Sequence, residues 1–166
     1  MHKLIILIIL LLVLGLNLGA LPGGSASEYQ SPLPTEYNYL SRTFYPHTGS
    51  SGTIEAGHLA WDMPCPEGTE VTSPCSGVII DYGSENLAGN FIKILDTEGY
   101  IHILAHLRAS KPTYKIYEGK EVFIGELLGW SGQTGARVTG PHTHYQVLKN
   151  GVPINPRELL GGKWKI

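Results

Sequence analysis

The sequence predicts an all-β domain, a sandwich or barrel of short strands. Three observations carry this. Past residue 20 no long run shows the apolar period of a helix. Short alternating or apolar runs recur instead, each bounded by turn residues. Glycine is plentiful, at 21 of 166 residues, which suits many tight turns.

The elements follow in chain order. Met1-His2-Lys3 precedes a stretch from Leu4 to Ala20 without a charge. Residues 1–26 therefore read as a signal peptide or, if uncleaved, an N-terminal anchor. Leu18-Gly19-Ala20 and Gly24-Ser25-Ala26 both end in small residues that suit a cleavage point. Either reading puts the working part in an extracytoplasmic space, with membrane contact only through an uncleaved anchor. Residues 27–43, rich in Pro, Ser and Tyr, read as linker and lead-in. Strands are expected over 70–72, 77–82, 90–95, 100–106, 121–124, 127–130, 142–148 and 152–154. Thr97-Glu98-Gly99 marks a turn, and Asn150-Gly151 is a tight-hairpin signal between the last two runs. One short helical turn is expected near the end, with Asn155 as cap, Pro156 at the first position, Glu158 as the capping-box acid and Gly161 as the stop. Residues 161–166 form a C-terminal tail.

The net charge of -2, with no basic cluster, argues against nucleic-acid binding. Cys65 and Cys75 are the only cysteines. An oxidising compartment, their even number and the turn Pro66-Glu67-Gly68 between them favour a disulfide; two small buried free thiols are the alternative. No Cys-x-x-Cys pair offers a cysteine zinc site.

The chemistry-bearing residues are histidines and one aspartate. His142 and His144 stand two apart in an alternating run, so on a strand they share a face with Gln146. His58 and Asp62 are four apart, an even separation that keeps both on one face of an extended segment; Gly57 and Pro64 argue against a helix there. Each pair alone is ordinary. Together His58, Asp62 and His144 supply two nitrogens and one oxygen, the donor set of a catalytic zinc site with a position left open. No His-Glu-x-x-His is present, so the proton-transfer roles fall to His142 and His106. By strand alternation His102 shares the His106 face, ~13 Å along, and reads as a surface or packing residue. His47 lies in the lead-in and His2 in the targeting segment.

From Phe44 to Leu160 the chain resembles the lysostaphin/LytM-type zinc metallopeptidases, which cut peptide bonds in bacterial peptidoglycan. The family's His-x-x-x-Asp motif is His58 to Asp62. Its Gly-Thr-x-Val and following strand are Gly68-Thr69-Glu70-Val71 and Gly77-Val78-Ile79. Its aromatic-Ala-His-Leu motif is Leu104-Ala105-His106-Leu107, with Leu in the aromatic position. Its Gly-Pro-His-x-His motif is Gly140-Pro141-His142-Thr143-His144, one residue further from Gly135 than usual and with Thr143 for the commoner Leu. Its late Asn-Pro is Asn155-Pro156. The resemblance implies a peptidase domain over 44–160, with a compact, largely antiparallel β fold and the site in a groove. It implies one Zn2+ per chain on His58, Asp62 and His144, with His106 and His142 catalytic. It implies hydrolysis of peptidoglycan stem or cross-bridge peptides by a zinc-activated water with histidine acid/base assistance. The alternatives are a non-catalytic cell-wall binding or regulatory module, and a zinc hydrolase with another peptide substrate.

Overall fold

The computed structural model describes residues 29–46, 57–108, 116–162 and 164–166. The apolar N-terminal run with its His2, and His47, lie outside the described residues. Among the described residues, nine strands form: β1 (Trp61–Pro64), β2 (Glu70–Thr72), β3 (Gly77–Glu85), β4 (Gly89–Asp96), β5 (Tyr100–Leu107), β6 (Glu121–Val122), β7 (Leu127–Trp130), β8 (His142–Lys149) and β9 (Val152–Ile154), with a helical turn α1 (Arg157–Leu160). Their pairings are antiparallel. The main sheet runs β1-β8-β5-β4-β3-β6 with β9 also on β8, and β2 pairs with β7 in a second, two-stranded sheet. The all-β, antiparallel expectation holds, as an open sheet and a smaller partner.

The two sheets share one apolar cluster. Ile79, Ile94, Leu104, Tyr145 and Val147 from the large sheet meet Val71 and Leu128 from the small one, each at most 1% exposed. Burying side chains of this size contributes ~1.5–3 kcal/mol apiece. On β8 the alternation is regular: Thr143, Tyr145 and Val147 are fully buried, while His144 and Gln146 face the other way.

β1 is an element the sequence pattern did not predict. Four residues ending at Pro64 are too few for a clear alternation, yet Trp61 and Met63 are buried to 1% and 0%. Tertiary burial of those two side chains makes the strand. The helical turn follows its capping signals: Arg157 N–H donates to Asn155 Oδ1, Asn155 N–H donates to Glu158 Oε1, and Gly161 closes the turn at φ 55 with its N–H on the Arg157 carbonyl.

The lead-in is packed. Leu33 and Leu40 lie in the core, and Leu40 and Lys165 tie the segment to the C-terminus through main-chain bonds. Further along, Arg42 bridges Asp62 and Tyr45 bridges His58, so this segment runs beside β1. Tyr37 packs on the core, whereas Tyr39 and Tyr45 are 46% and 42% exposed.

The expected disulfide is not formed. Cys65 and Cys75 are both buried free thiols. The reason is placement: the Cys65 sulfur faces Thr143 Oγ1 on β8, whereas Cys75 lies beside Asp96 and His102 at β4 and β5. The turn after Cys65 leads into β2, which pairs with β7 and carries the chain away before Cys75.

Candidate metal centre

Three neighbouring strands place the site. Asp62 of β1 pairs with His144 of β8, and His144 pairs in turn with Ala105 of β5, next to His106. His142 lies one alternation back on β8, opposite Pro64. His58 precedes β1 and is held by its bridge to Tyr45. All five residues singled out by the sequence converge. The His58 and His144 rings are 5.4 Å apart, His106 and His142 4.7 Å, and His106 and His144 5.6 Å.

His106 reaches this cluster only because β5 is irregular. Between Ile92 and Asn90 of β4, one residue faces two on β5, Ala105 and His106, which is a bulge. His106 itself has φ 61, rare for a residue with a side chain. Regular alternation would leave it on the core face with His102. The kink turns it to the face of His144, so the expectation that His102 and His106 share a face is overturned.

Asp62 Oδ1 is the focus of the cluster. It lies 2.8 Å from His144 Nδ1, 3.1 Å from His58 Nε2 and 3.6 Å from His142 Nε2. His58 Nδ1 donates to the Thr43 carbonyl at 3.1 Å, and His142 Nδ1 donates to the Gly140 carbonyl at 2.8 Å. A carbonyl only accepts, so in the neutral imidazoles Nδ1 carries the proton and Nε2 presents a lone pair. Those lone pairs face a carboxylate oxygen, an arrangement that a cation among them would relieve. The donor atoms of His58, Asp62 and His144 lie within 4.8 Å of one another. Two imidazoles, one carboxylate and a ligand histidine oriented through its other nitrogen are a fitting zinc donor set. Burial alone would raise the Asp62 pKa, but hydrogen bonds from His144 and, when its ring carries a proton on both nitrogens, from His58 outweigh it and hold the carboxyl well below the usual range. His144 is 24% exposed at its side chain against 8–10% for His58, Asp62 and His142, so the centre opens to solvent on the His144 side.

His106 is oriented in the same manner, its Nδ1 donating to the Thr134 carbonyl at 2.9 Å. Burial pushes its pKa down; the Thr134 carbonyl opposes this, and the charges of His142 and His144 push it further down.

Residues 56–156, well over half the chain, match peptidase family M23. The chain belongs to peptidase family M23. It is 35% identical over 122 residues to the peptidoglycan DD-endopeptidase ShyC of Vibrio cholerae, an alignment covering 74% of this chain and 26% of that protein. Among solved structures, a zinc-containing peptidase from Vibrio cholerae superposes with TM-score 0.65 at 26% identity, covering 77% of this chain and 39% of that one. The catalytic domain of the antimicrobial peptidase lysostaphin from Staphylococcus simulans gives TM-score 0.61 at 28% identity, covering 78% of this chain and 99% of the other. The chain spans about a quarter of the length of the curated relatives it matches.

Elsewhere in this M23 domain, His102 is wholly buried, which confirms packing and rules out the surface alternative. Its Nε2 donates to Asp96 Oδ2 at 3.1 Å, and its Nδ1 accepts from the Tyr145 hydroxyl at 2.8 Å. Cys75, Asp96 and His102 form a second group of metal-type donors. Here, however, protein donors already saturate the carboxylate: Oδ1 takes the N–H groups of Glu98 and Tyr100, and Oδ2 takes Tyr29 and His102. This is a closed hydrogen-bond network. The carbonyls of Thr43, Thr134 and Gly140 were not predicted as site groups. Every residue carries a carbonyl, so no side-chain pattern marks them.

Proposed function

We propose that this chain is an extracytoplasmic zinc endopeptidase that hydrolyses peptide bonds in bacterial peptidoglycan, with one zinc held by His58, Asp62 and His144. The observation that carries the reading is the convergence of His58 and His144 ring nitrogens on Asp62 Oδ1, flanked by two further histidines whose free nitrogens are aimed by main-chain carbonyls. The peptidoglycan substrate is supported by the names of M23 relatives such as ShyC. Stem or cross-bridge peptides are the partners this reading assigns.

A zinc ion on three protein donors supplies Lewis acidity to a carbonyl and lowers the pKa of bound water from ~15.7 toward ~7. The protein's own groups move the protons. The water oxygen bonds to the scissile carbonyl carbon, and His142 Nε2 takes the water proton. The C–N bond breaks as that same proton, handed from His142 to the His106 lone pair, passes on to the leaving amine. A neutral His106 has its N–H committed to Thr134 and offers the centre only a lone pair. That favours proton transfer over oxyanion stabilisation for this residue. The His106 and His142 rings stand 4.7 Å apart.

The test is turbidity clearing of purified sacculi, with and without chelator. His142→Ala and His106→Ala are expected to keep zinc and lose ~10²–10⁴-fold in turnover. Asp62→Ala is expected to lose the metal itself, read by zinc quantification after dialysis. Near-normal turnover in either histidine variant would remove that residue from the mechanism. Absence of metal-dependent peptide release by the zinc-loaded protein would favour the binding-module alternative.

A further inference from the structure

We infer that Thr134 is a positioning residue for His106, a two-point clamp that sets the tautomer and direction of that ring; the inference rests on the acid–base role proposed for His106. The first point is the main chain, where the Thr134 carbonyl takes the His106 Nδ1 proton at 2.9 Å. A fixed Nδ1–H leaves Nε2 as the nitrogen that serves the metal centre.

The second point is the side chain. Thr134 Oγ1 donates to the Leu107 carbonyl at 2.7 Å and accepts the Asn90 N–H at 2.9 Å. Asn90 Nδ2 reaches the same Leu107 carbonyl at 3.2 Å. Asn90 and Leu107 are the paired residues that close the bulge at Ala105 and His106. The hydroxyl thus bridges β4 and β5 where the ladder breaks, beside a histidine held at φ 61. A left-handed conformation persists only when its surroundings over-determine it.

The loop carrying Thr134 has little room to shift. A Cβ on Gly89 would lie 2.3 Å from Thr134 atoms, and one on Gly135 would lie 2.5 Å from the Gly89 nitrogen. One on Gly132 would lie 2.7 Å from the Arg108 nitrogen, and the Ala136 N–H is tied to the Asn86 carbonyl. The hydrogen bonds of the Thr134 hydroxyl go to main chain of β4 and β5. It acts on chemistry through His106 alone.

The experiment compares Thr134→Val, which keeps shape and removes the hydroxyl, with Thr134→Ser, which restores it, in the full zinc-loaded chain. Thr134→Val is expected to lower kcat ~10–100-fold, the range for loss of an orienting partner. KM should stay within about twofold and zinc content at the wild-type level, since neither substrate nor metal donors are touched. Thr134→Ser is expected to recover most of kcat. Nitrogen-15 spectra of the imidazoles supply an independent readout: His106 should be the Nδ1–H tautomer in wild type and Thr134→Ser, and mixed in Thr134→Val. Wild-type kcat in Thr134→Val, or equal impairment of both variants, would overturn the clamp. Should Thr134→Val not fold, the wild-type spectrum decides, because an Nε2–H His106 contradicts the clamp outright. Full activity in His106→Ala would instead sink the acid–base role, with the clamp still judged by the ring spectrum.

Discussion

Replacing Tyr145 with Phe should separate the buried polar network from the metal centre. Tyr145 is wholly buried, and burial pushes its hydroxyl pKa well up, so the group stays a donor. It donates to His102 Nδ1 at 2.8 Å, while the other His102 nitrogen is fixed on Asp96. Phe keeps the ring, which lies near-parallel to His102 at 6.0 Å, and deletes only the hydroxyl. What remains is an imidazole lone pair at 0% exposure with no donor. Leaving one buried polar group unsatisfied costs ~1–3 kcal/mol. Urea unfolding at fixed zinc concentration measures this as a lower midpoint at unchanged slope. In a His102→Leu background the same change should cost much less, giving a coupling of ~0.5–3 kcal/mol in the double-mutant cycle. Zinc content and turnover should be unchanged, because Tyr145 and His144 point to opposite faces of β8. A cost under ~0.5 kcal/mol, the level of an ordinary surface substitution, would refute the network. Loss of zinc in Tyr145→Phe would refute the independence of the two faces.

Two further outcomes follow from the same region. Burial would raise the Asp96 pKa, but hydrogen bonds from His102, the Tyr100 N–H and Tyr29 outweigh it and hold it low; its stabilising contribution is therefore complete above the ordinary aspartate value of ~4 and lost as pH falls from there through the lower folded value. The stability difference between wild type and Asp96→Asn should shrink across that acidic window, and a difference that grew there would contradict the sign. Burial, reinforced by the Asp96 charge, pushes the Cys75 thiol up, and Cys65 is 6% exposed; a thiol reagent should label neither cysteine in the folded protein and both in denaturant, whereas an intact mass lower by two hydrogens would show a disulfide.

Much of the fold was legible because its signals are local. Asn150-Gly151 joins β8 to β9, and the Asn155, Glu158 and Gly161 signals bound α1 as their chemistry demands. The alternation of 142–148 placed His142 and His144 on one face without reference to any partner strand. β1 escaped notice because Trp61 and Met63 become a strand only through burial against β8 and Trp164, whose ring packs at a tilt 4.8 Å from Trp61. The disulfide expectation failed because parity and compartment say that two cysteines can pair, not that their sulfurs meet.

Side-chain identity and even spacing alone assembled the proposed donor set: two imidazoles and a carboxylate to hold a metal, two more imidazoles to move protons. Those choices are chemical and survive any arrangement that brings the residues together. The direction of His106 belongs to tertiary structure. A period of two assigns it to the core with His102, and only the bulge opposite β4 turns it to the side of His144. The same holds for the Thr43, Thr134 and Gly140 carbonyls that decide which nitrogen of each ring faces inward. A carbonyl's position is a property of the folded backbone, whereas the residue types able to bind zinc are written in the chain.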